Sequence, residues 1–242
     1  MFKNKYYLFL IYILLFLKMI VSIIIPIKYI TRKIDKLFFK FYLNRLSSNI
    51  NINKSCNEKI SSTIFVMNHY TVHDVIILSY LINDLYFVAK DDIFSSNYKS
   101  SLLTYISEYI YKLFKLIPYK RGDKKSGKIC RQNIINVLNK GHNICIFPEG
   151  GSTYYGIPKK FYNGIFEIAL EHNFDIYPCS IKYDPPVGIN PGEKLNILKD
   201  LNLNPKIDLN IMDKISISKY NKKINSSILN KICYKIIVDK LK

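Results

Sequence analysis

A histidine and an aspartate five residues apart, His69 and Asp74, are the side chains of this sequence best suited to acid–base chemistry. They directly follow the apolar run Thr63 to Met67. A carboxylate that is hydrogen-bonded to an imidazole fixes its tautomer and stabilises the cation formed when the ring takes up a proton. Such a pair can remove a proton from a hydroxyl group, so that the oxygen attacks an acyl group.

The same pair also has a purely structural interpretation. On a continuous helix, five residues turn the chain by about 500°, which leaves the two side chains about 140° apart. They can therefore meet only if His69 lies in a loop and Asp74 in the first turn of a helix. Thr71 and Asp74 have the spacing of a capping box, so Asp74 could be a helix cap and nothing more. The strand-to-helix setting and a second motif favour the acid–base pair.

The second motif is Phe147-Pro148-Glu149-Gly150, which closes the apolar run Asn143 to Phe147. Its proline and glycines predict a rigid turn whose backbone amides can face a ligand. The carboxylate in this turn can bind an acceptor hydroxyl or orient neighbouring cations. A plain turn at the end of a strand is the alternative. Taken with the acid–base pair, the motif predicts acyl transfer to an alcohol.

Strand-like and helix-like patterns alternate along the rest of the chain. The predicted strands are 64–67, 86–90, 143–147, 176–183 and 206–218. The predicted helices are 72–81, 100–114, 126–140, 163–172 and 227–241. This alternation predicts an α/β fold with a central mixed, largely parallel sheet flanked by helices, preceded by an N-terminal membrane-anchoring helical segment.

That N-terminal segment, residues 6–27, contains Lys18 as its only charge. As a helix it would reach about 33 Å, close to the ~30 Å hydrocarbon thickness of a bilayer. A cleaved signal peptide fits poorly because no cleavage site follows, and a buried core helix is the remaining alternative. We predict a membrane-anchoring region over residues 1–46, spanning or interfacial, a polar linker over 47–59 and a catalytic domain over 60–242.

The net charge of +18 is concentrated in part beside this segment, because residues 28–45 carry six cations and one acid, Asp35. If the segment spans, the positive-inside bias places the catalytic domain on the cytosolic face. If the source is a eukaryote, the expected membrane is the endoplasmic reticulum or another intracellular membrane. If the segment is interfacial, the same cations bind anionic headgroups. No nucleic-acid-binding signature accompanies the charge, so membrane lipids are the predicted partner.

Cysteine and histidine spacing predicts neither a metal nor a disulfide framework. The five cysteines are dispersed without a C-x-x-C pair, which fits a reducing compartment. The four histidines lack the spacing of zinc ligands. No metal is therefore expected.

Four segments, in order and spacing, resemble the glycerolipid acyltransferase superfamily, typified by the PlsC-like 1-acyl-glycerol-3-phosphate acyltransferases. The four segments are Asn68 to Asp74, Leu116 to Arg121, Phe147 to Gly150 and Ile176 to Ile181. The similarity covers roughly residues 60–185. It implies that His69 is a general base toward the acceptor hydroxyl and that Asp74 orients it. The implied acceptor-binding residues are Asn68, Arg121, Glu149 and Gly150, with Arg121 on the phosphate.

The chain departs from the family pattern where cations are expected. Gly151 and Ser152 stand where the family often has threonine and arginine, and Tyr162 and Asn163 stand where it usually has two lysines. Either the acceptor has a larger headgroup or other cations replace the missing ones. The candidate replacements are Lys120, Lys159 and Lys160.

The resemblance implies an acyl-CoA-dependent O-acyltransferase, with acyl-CoA as co-substrate and no further cofactor. The predicted acceptor is 1-acyl-glycerol-3-phosphate, which gives phosphatidic acid. Another lysophospholipid, glycerol-3-phosphate or a catalytically silent membrane-binding relative are the alternatives. A lipid hydrolase lacks support because the sequence has no G-x-S-x-G nucleophile elbow. Oligomeric state is not predicted.

Overall fold

A seven-stranded sheet forms the centre of the fold in the computed structural model, which describes residues 28–55, 60–91, 112–153, 156–187, 197–220 and 224–242. The strands are β1 (Ile50–Lys54), β2 (Ile64–Met67), β3 (Leu85–Lys90), β4 (Leu116–Tyr119), β5 (Asn143–Ile146), β6 (Ile176–Asp184) and β7 (Lys206–Ile211). The α-helices of the described residues are α1 (Lys28–Leu46), α2 (Val72–Leu81), α3 (Lys124–Asn139), α4 (Gly164–His172), α5 (Ile197–Leu203) and α6 (Ser226–Leu241). A 3-10 helix covers Ile217–Tyr220.

The strands lie in the order β1-β7-β6-β2-β5-β3-β4. Neighbouring strands are parallel except for β6 and β7, which are antiparallel. The predicted mixed, largely parallel sheet is confirmed. Since parallel strands end at the same edge of a sheet, the loops that follow β2, β5 and β4 are brought to one edge.

Side chains of the central strand β2 face two apolar layers in alternation. Phe65 and Met67 join the core formed with α1, α2 and α5, whereas Ile64 and Val66 join the core formed with α3, α4 and α6. All four are fully buried. A continuous apolar run is the pattern expected of a parallel strand covered by helices on both faces, because its side chains alternate between them.

Helix α1 packs its apolar face onto this domain. The buried side chains are Phe38, Phe39, Tyr42, Leu43 and Leu46, a spacing that forms one stripe of a helix. The stripe lies against α2 and α5. The end of the predicted membrane-anchoring region, 1–46, is therefore a helix whose apolar stripe belongs to the core of the α/β domain.

Part of the predicted linker over residues 47–59 instead forms the edge strand β1, parallel to β7. Its side chains add to the pairing, because Asn51 Nδ2 donates to Asp208 Oδ1 and Asn53 Nδ2 donates to Asn210 Oδ1. The strand is short and mostly exposed, and its two isoleucines alternate with asparagines within a polar stretch, so its sequence resembles a loop. Sheet pairing thus begins before the boundary predicted at residue 60.

Most of the other predicted strands and helices are present, with ends within two residues of the prediction. The exceptions are two missed elements and one shortened strand. Strand β4 and helix α5 were missed, and the strand expected over 206–218 ends at Ile211. The apolar segment 6–27 and residues 100–111 of the predicted helix 100–114 lie outside the described residues. No helix in the described ranges has the length and apolar character needed to cross a bilayer.

A buried polar chain joins three helices on the α1 face of the sheet. His73, on α2, has its Nδ1 2.8 Å from the Tyr42 hydroxyl of α1 and its Nε2 3.0 Å from Asp200 Oδ2 of α5. Burial, and secondarily the Asp200 carboxylate, raise the pKa of Tyr42 well above its ordinary value. Tyr42 therefore keeps its proton, and its hydroxyl donates a hydrogen bond to His73 Nδ1. The Nε2–H of His73 donates a hydrogen bond to Asp200.

The chain of hydrogen bonds predicts a specific loss of stability. Replacing Tyr42→Phe leaves the fully buried His73 Nδ1 without its donor, which should lower the free energy of unfolding by about 1–3 kcal/mol. Tyr80→Phe is the matched control, because the described residues give this half-buried hydroxyl no hydrogen bond. Urea denaturation of both variants measures the difference. Equal stability of the two would show that His73 does not depend on Tyr42.

Candidate active site

The loops after β2 and β5 place the two sequence motifs side by side. β2 ends at Met67 and β5 ends at Ile146, and these neighbouring strands are parallel. His69 and Glu149 therefore leave the sheet at the same edge. This is the edge at which α/β folds bind ligands.

The predicted pair is formed, with His69 Nδ1 2.8 Å from Asp74 Oδ2. Asp74 lies in the first turn of α2 and is fully buried. Its Oδ2 also accepts the backbone N–H groups of Tyr70 and Thr71, at 2.7 and 3.1 Å. Its Oδ1 accepts the Tyr183 hydroxyl at 2.6 Å. One carboxylate thus caps the helix and orients the histidine at the same time.

Two tyrosines beside this carboxylate keep their protons. Burial raises the pKa of Tyr183 well above its ordinary value, and the neighbouring charge of Asp74 and the hydrogen bond to it add to the effect. Burial, followed by the charges of Asp74 and Glu149, raises the pKa of Tyr70 to about 12. Tyr183 is therefore a permanent donor to Asp74, which helps to compensate the charge of a buried carboxylate.

The imidazole of His69 has an aromatic ring packed on one face, and one of its two nitrogens has no hydrogen-bond partner in the described residues. The ring of Phe147 stacks on it, with 4.1 Å between ring centroids and 21° between planes. A carboxylate only accepts hydrogen bonds, so Nδ1 carries the proton toward Asp74 and Nε2 has the lone pair. Within the described residues Nε2 makes no hydrogen bond, and the side chain is 21% exposed. Nε2 is therefore available to a hydroxyl of a substrate.

The carboxylate of Glu149 joins the two loops. Its Oε1 accepts the backbone N–H of His69 at 2.8 Å. Its Oε2 accepts the Thr153 hydroxyl and the backbone N–H of Lys159. In return, the Thr153 N–H donates to the His69 carbonyl at 2.7 Å. Glu149 is buried and positions the backbone of His69, while the contact with an acceptor that the sequence predicts stays a prediction.

Asn68 extends the sheet with its side chain. Its Oδ1 accepts the N–H of Ile181 and its Nδ2 donates to the carbonyl of Ile181, both at 2.9 Å. The amide therefore takes the place of a β2 backbone unit opposite β6. Since Asn68 is 1% exposed, its evident role is to fix where β2 turns into the His69 loop, and substrate binding by it stays a prediction.

Gly150 and Arg121 lie at the Phe147–Ser152 turn. Gly150 has φ +68°, a backbone conformation that favours glycine, and a Cβ there would also require the exposed ring of Tyr162, 2.8 Å away, to shift. A Cβ at Gly151 would lie 3.4 Å from Arg121 Nη2. The guanidinium that follows β4 thus reaches the same turn as Glu149.

Three contributors to the site carried little or no signal in the sequence. Tyr183 lies far along the chain from Asp74, and its place in the predicted strand gave no hint of a bond to a carboxylate. Thr153 has no distinguishing pattern. Phe147 belongs to the predicted motif, but its stacking on His69 follows only from the pairing of β2 with β5.

A cavity of about 260 Å³ is lined by Tyr70 and Tyr183 but by neither His69 nor Asp74. Most of its other lining is apolar, and two lysines belong to it as well: Ile157, Pro186, Val187, Val238, Leu241, Lys182 and Lys242. Since Tyr183 contacts Asp74, the cavity lies next to the buried carboxylate.

The hydrogen bonds of His69 and His73 predict opposite tautomers for the two rings. Neutral His69 should carry its proton on Nδ1, and neutral His73 on Nε2, because in each ring that nitrogen faces an aspartate. ¹⁵N NMR of histidine-labelled protein distinguishes the two forms, and His69→Gln and His73→Gln assign the signals. The same tautomer in both rings would contradict one of the two networks.

Plant proteins are similar to this chain in sequence. The chloroplastic 1-acyl-sn-glycerol-3-phosphate acyltransferase LPAT1 of Arabidopsis thaliana is 27% identical over 118 residues, which make up 49% of this chain and 31% of that protein. The chloroplastic 1-acyl-sn-glycerol-3-phosphate acyltransferase BAT2 of Brassica napus is 25% identical over 118 residues, 49% of this chain and 32% of that protein. The chain thus spans under one third of the length of either relative.

The fold is similar to that in the crystal structure of the 1-acyl-sn-glycerophosphate (LPA) acyltransferase PlsC from Thermotoga maritima. The TM-score is 0.62, with 98% of this chain and 96% of that chain covered at 16% identity. Residues 49–182, more than half of the chain, match the Acyltransferase family and include the loops after β2, β4 and β5. The chain belongs to the Acyltransferase family.

Proposed function

We propose that this protein transfers a fatty acyl group from acyl-CoA to the free hydroxyl of a lysophospholipid. The acceptor proposed is 1-acyl-glycerol-3-phosphate, and the product is phosphatidic acid. The observation that carries the proposal is the His69–Asp74 pair with an open Nε2 beside the Glu149 turn. Membership of the Acyltransferase family and the names of the plant relatives support it.

In the proposed reaction, His69 Nε2 takes the proton of the acceptor hydroxyl as its oxygen attacks the thioester carbonyl carbon. A carbon–oxygen ester bond forms and the carbon–sulfur bond breaks. The imidazolium then returns the proton to the departing thiolate of coenzyme A, so no acyl-enzyme is needed. Asp74 stabilises the imidazolium between the two steps because its Oδ2 accepts the Nδ1 proton.

The surroundings of the pair suit lipid substrates. Arg121 reaches the turn after β5 and, within the described part of the chain, makes no hydrogen bond or ion pair, so its fork is available to a phosphate. The largely apolar cavity beside Tyr70 and Tyr183 can accommodate part of an acyl chain. No cofactor besides the acyl-CoA co-substrate is part of the proposal.

We further propose that residues 6–27 hold the enzyme at a membrane, with the catalytic domain on its cytosolic face. The support is the sequence itself, namely an apolar segment followed by six cations in residues 28–45. Acceptor and product both partition into the bilayer, so a membrane-bound enzyme meets its substrate at high local concentration.

The test of this function is an acylation assay with the full chain in detergent, labelled acyl-CoA and a panel of lysophospholipids and glycerol-3-phosphate. Wild-type protein should acylate 1-acyl-glycerol-3-phosphate, and His69→Ala should lower kcat by at least about 100-fold, the range of general base catalysis. His172→Ala, an exposed histidine at the end of α4, is the control and should keep wild-type activity.

Two results would count against the proposal. If no member of the panel is acylated, the assigned reaction is wrong. If His69→Ala and His172→Ala work equally well, the reaction occurs without the proposed base.

A second variant tests the acceptor contact. Arg121→Ala should raise KM for 1-acyl-glycerol-3-phosphate by about tenfold or more and leave KM for acyl-CoA nearly unchanged, because a charge-assisted hydrogen bond to phosphate is lost. Arg131→Ala is the matched control, since Arg131 pairs with Glu171 away from the site. Steady-state kinetics with each substrate varied separately measures both constants. An unchanged acceptor KM would remove Arg121 from the site.

A further inference from the structure

Lys159 is attached twice to the turn that follows β5. Its backbone N–H donates to Glu149 Oε2 at 2.8 Å, and its Nζ donates to the carbonyl of Ser152 at 3.1 Å. The side chain therefore folds back over the turn although it is exposed. An ammonium has three donors, so two remain for another acceptor.

The segment that carries Lys159 is fixed from the opposite side by α6. The Tyr234 hydroxyl donates to the carbonyl of Pro158 at 2.8 Å, and Asn230 Nδ2 donates to the carbonyl of Phe161 at 2.9 Å. The N–H of Tyr162 donates to the carbonyl of Pro148 at 2.9 Å. Hydrogen bonds of the surrounding backbone thus fix the main chain at Lys159. Because the main chain is already ordered, less conformational entropy is lost when the ammonium binds a ligand.

Arg121 approaches the neighbouring residue of the same turn. Its Nη2 lies 3.4 Å from the position of a Cβ on Gly151, whereas the Lys159 ammonium lies on the carbonyl of Ser152. Gly151 and Ser152 are adjacent, so a guanidinium and an ammonium flank one two-residue stretch. The backbone N–H groups of these two residues make no hydrogen bond within the described ranges. Backbone amides without a partner, next to two cations, can donate hydrogen bonds to an anion.

The nearby carboxylate does not neutralise these cations directly. Glu149 is 5% exposed, and its oxygens accept two backbone N–H groups and one hydroxyl. Neither Arg121 Nη2 nor Lys159 Nζ is among those donors. Both cations therefore keep donors for an external oxyanion, and the whole turn is tied through Glu149 to the backbone of His69.

We propose that Lys159, together with Arg121, binds the phosphate monoester of the acceptor and is a specificity-determining residue for phosphate-bearing lysolipids. The inference rests on the proposed function and identifies Lys159 as a cation that replaces those missing at Ser152, Tyr162 and Asn163. Lys160 is adjacent and exposed, but the described residues give its side chain no contact with the turn. Phosphates also occur in coenzyme A, so the test separates acceptor from donor.

The experiment compares Lys159→Met with Lys160→Met in the full chain, since methionine keeps the apolar stem and removes the charge. Lys159→Met should raise KM for 1-acyl-glycerol-3-phosphate by about 10- to 100-fold, the worth of a hydrogen bond to a charged group. KM for acyl-CoA should change by less than about twofold. Lys159→Arg should restore most of the acceptor affinity, and Lys160→Met should behave as wild type.

Binding in mixed micelles, measured by titration calorimetry with 1-acyl-glycerol-3-phosphate and with uncharged 1-acylglycerol, separates this inference from the proposed function. Lys159→Met should weaken binding of the phosphate-bearing lipid only. If wild-type protein binds it but acylates nothing, the proposed function fails and the site stands. The site assignment is wrong if Lys159→Met and Lys160→Met bind it equally, or if Lys159→Met raises KM for acyl-CoA instead.

Discussion

The Asp74 carboxylate is the interaction on which the geometry of this site depends. A charge without solvent must be compensated by hydrogen bonds, and Asp74, in the first turn of α2, has four donors from two other parts of the fold: three in the loop after β2 and one on strand β6. Each donor also fixes the element that supplies it. The cap of α2, the contact between α2 and β6, and the orientation of the His69 ring therefore all follow from the hydrogen bonds of the Asp74 carboxylate.

Glu149 plays the corresponding part on the other side of His69. It binds the backbone of His69, the hydroxyl of Thr153 and the backbone of Lys159, so the loop after β5 cannot move independently of the loop after β2. The two carboxylates have complementary roles. Asp74 orients the imidazole ring of His69, and Glu149 fixes the main chain of the same residue. The proposed base and the proposed anion-binding turn are consequently held as one unit, and such preorganisation favours catalysis.

Contacts between residues close together in the chain could be predicted from the sequence, whereas contacts made by distant strands could not. The pairing of His69 with Asp74 was predictable because both lie in one strand-to-helix turn. The buried partners of Asn68 and Glu149 were not, since Ile181 lies 113 residues from Asn68 and comes next to it only through sheet pairing. Strand β1 escaped notice for a different reason: its Ile-Asn alternation is only five residues long and lies in a polar stretch, and Asn51 and Asn53 find their partners on β7, far along the chain.

His73 and Asp74 are consecutive residues of α2 with different partners. His73 is hydrogen-bonded to Tyr42 of α1, while Asp74 is hydrogen-bonded to His69. A 19-residue helix is a rod of about 28 Å, and the carboxyl half of α1 is fixed one residue away from Asp74. The fold therefore sets the point and direction at which the chain enters the domain at Lys28. α1 is therefore a spacer of fixed length and direction between Lys28 and the His69–Asp74 pair.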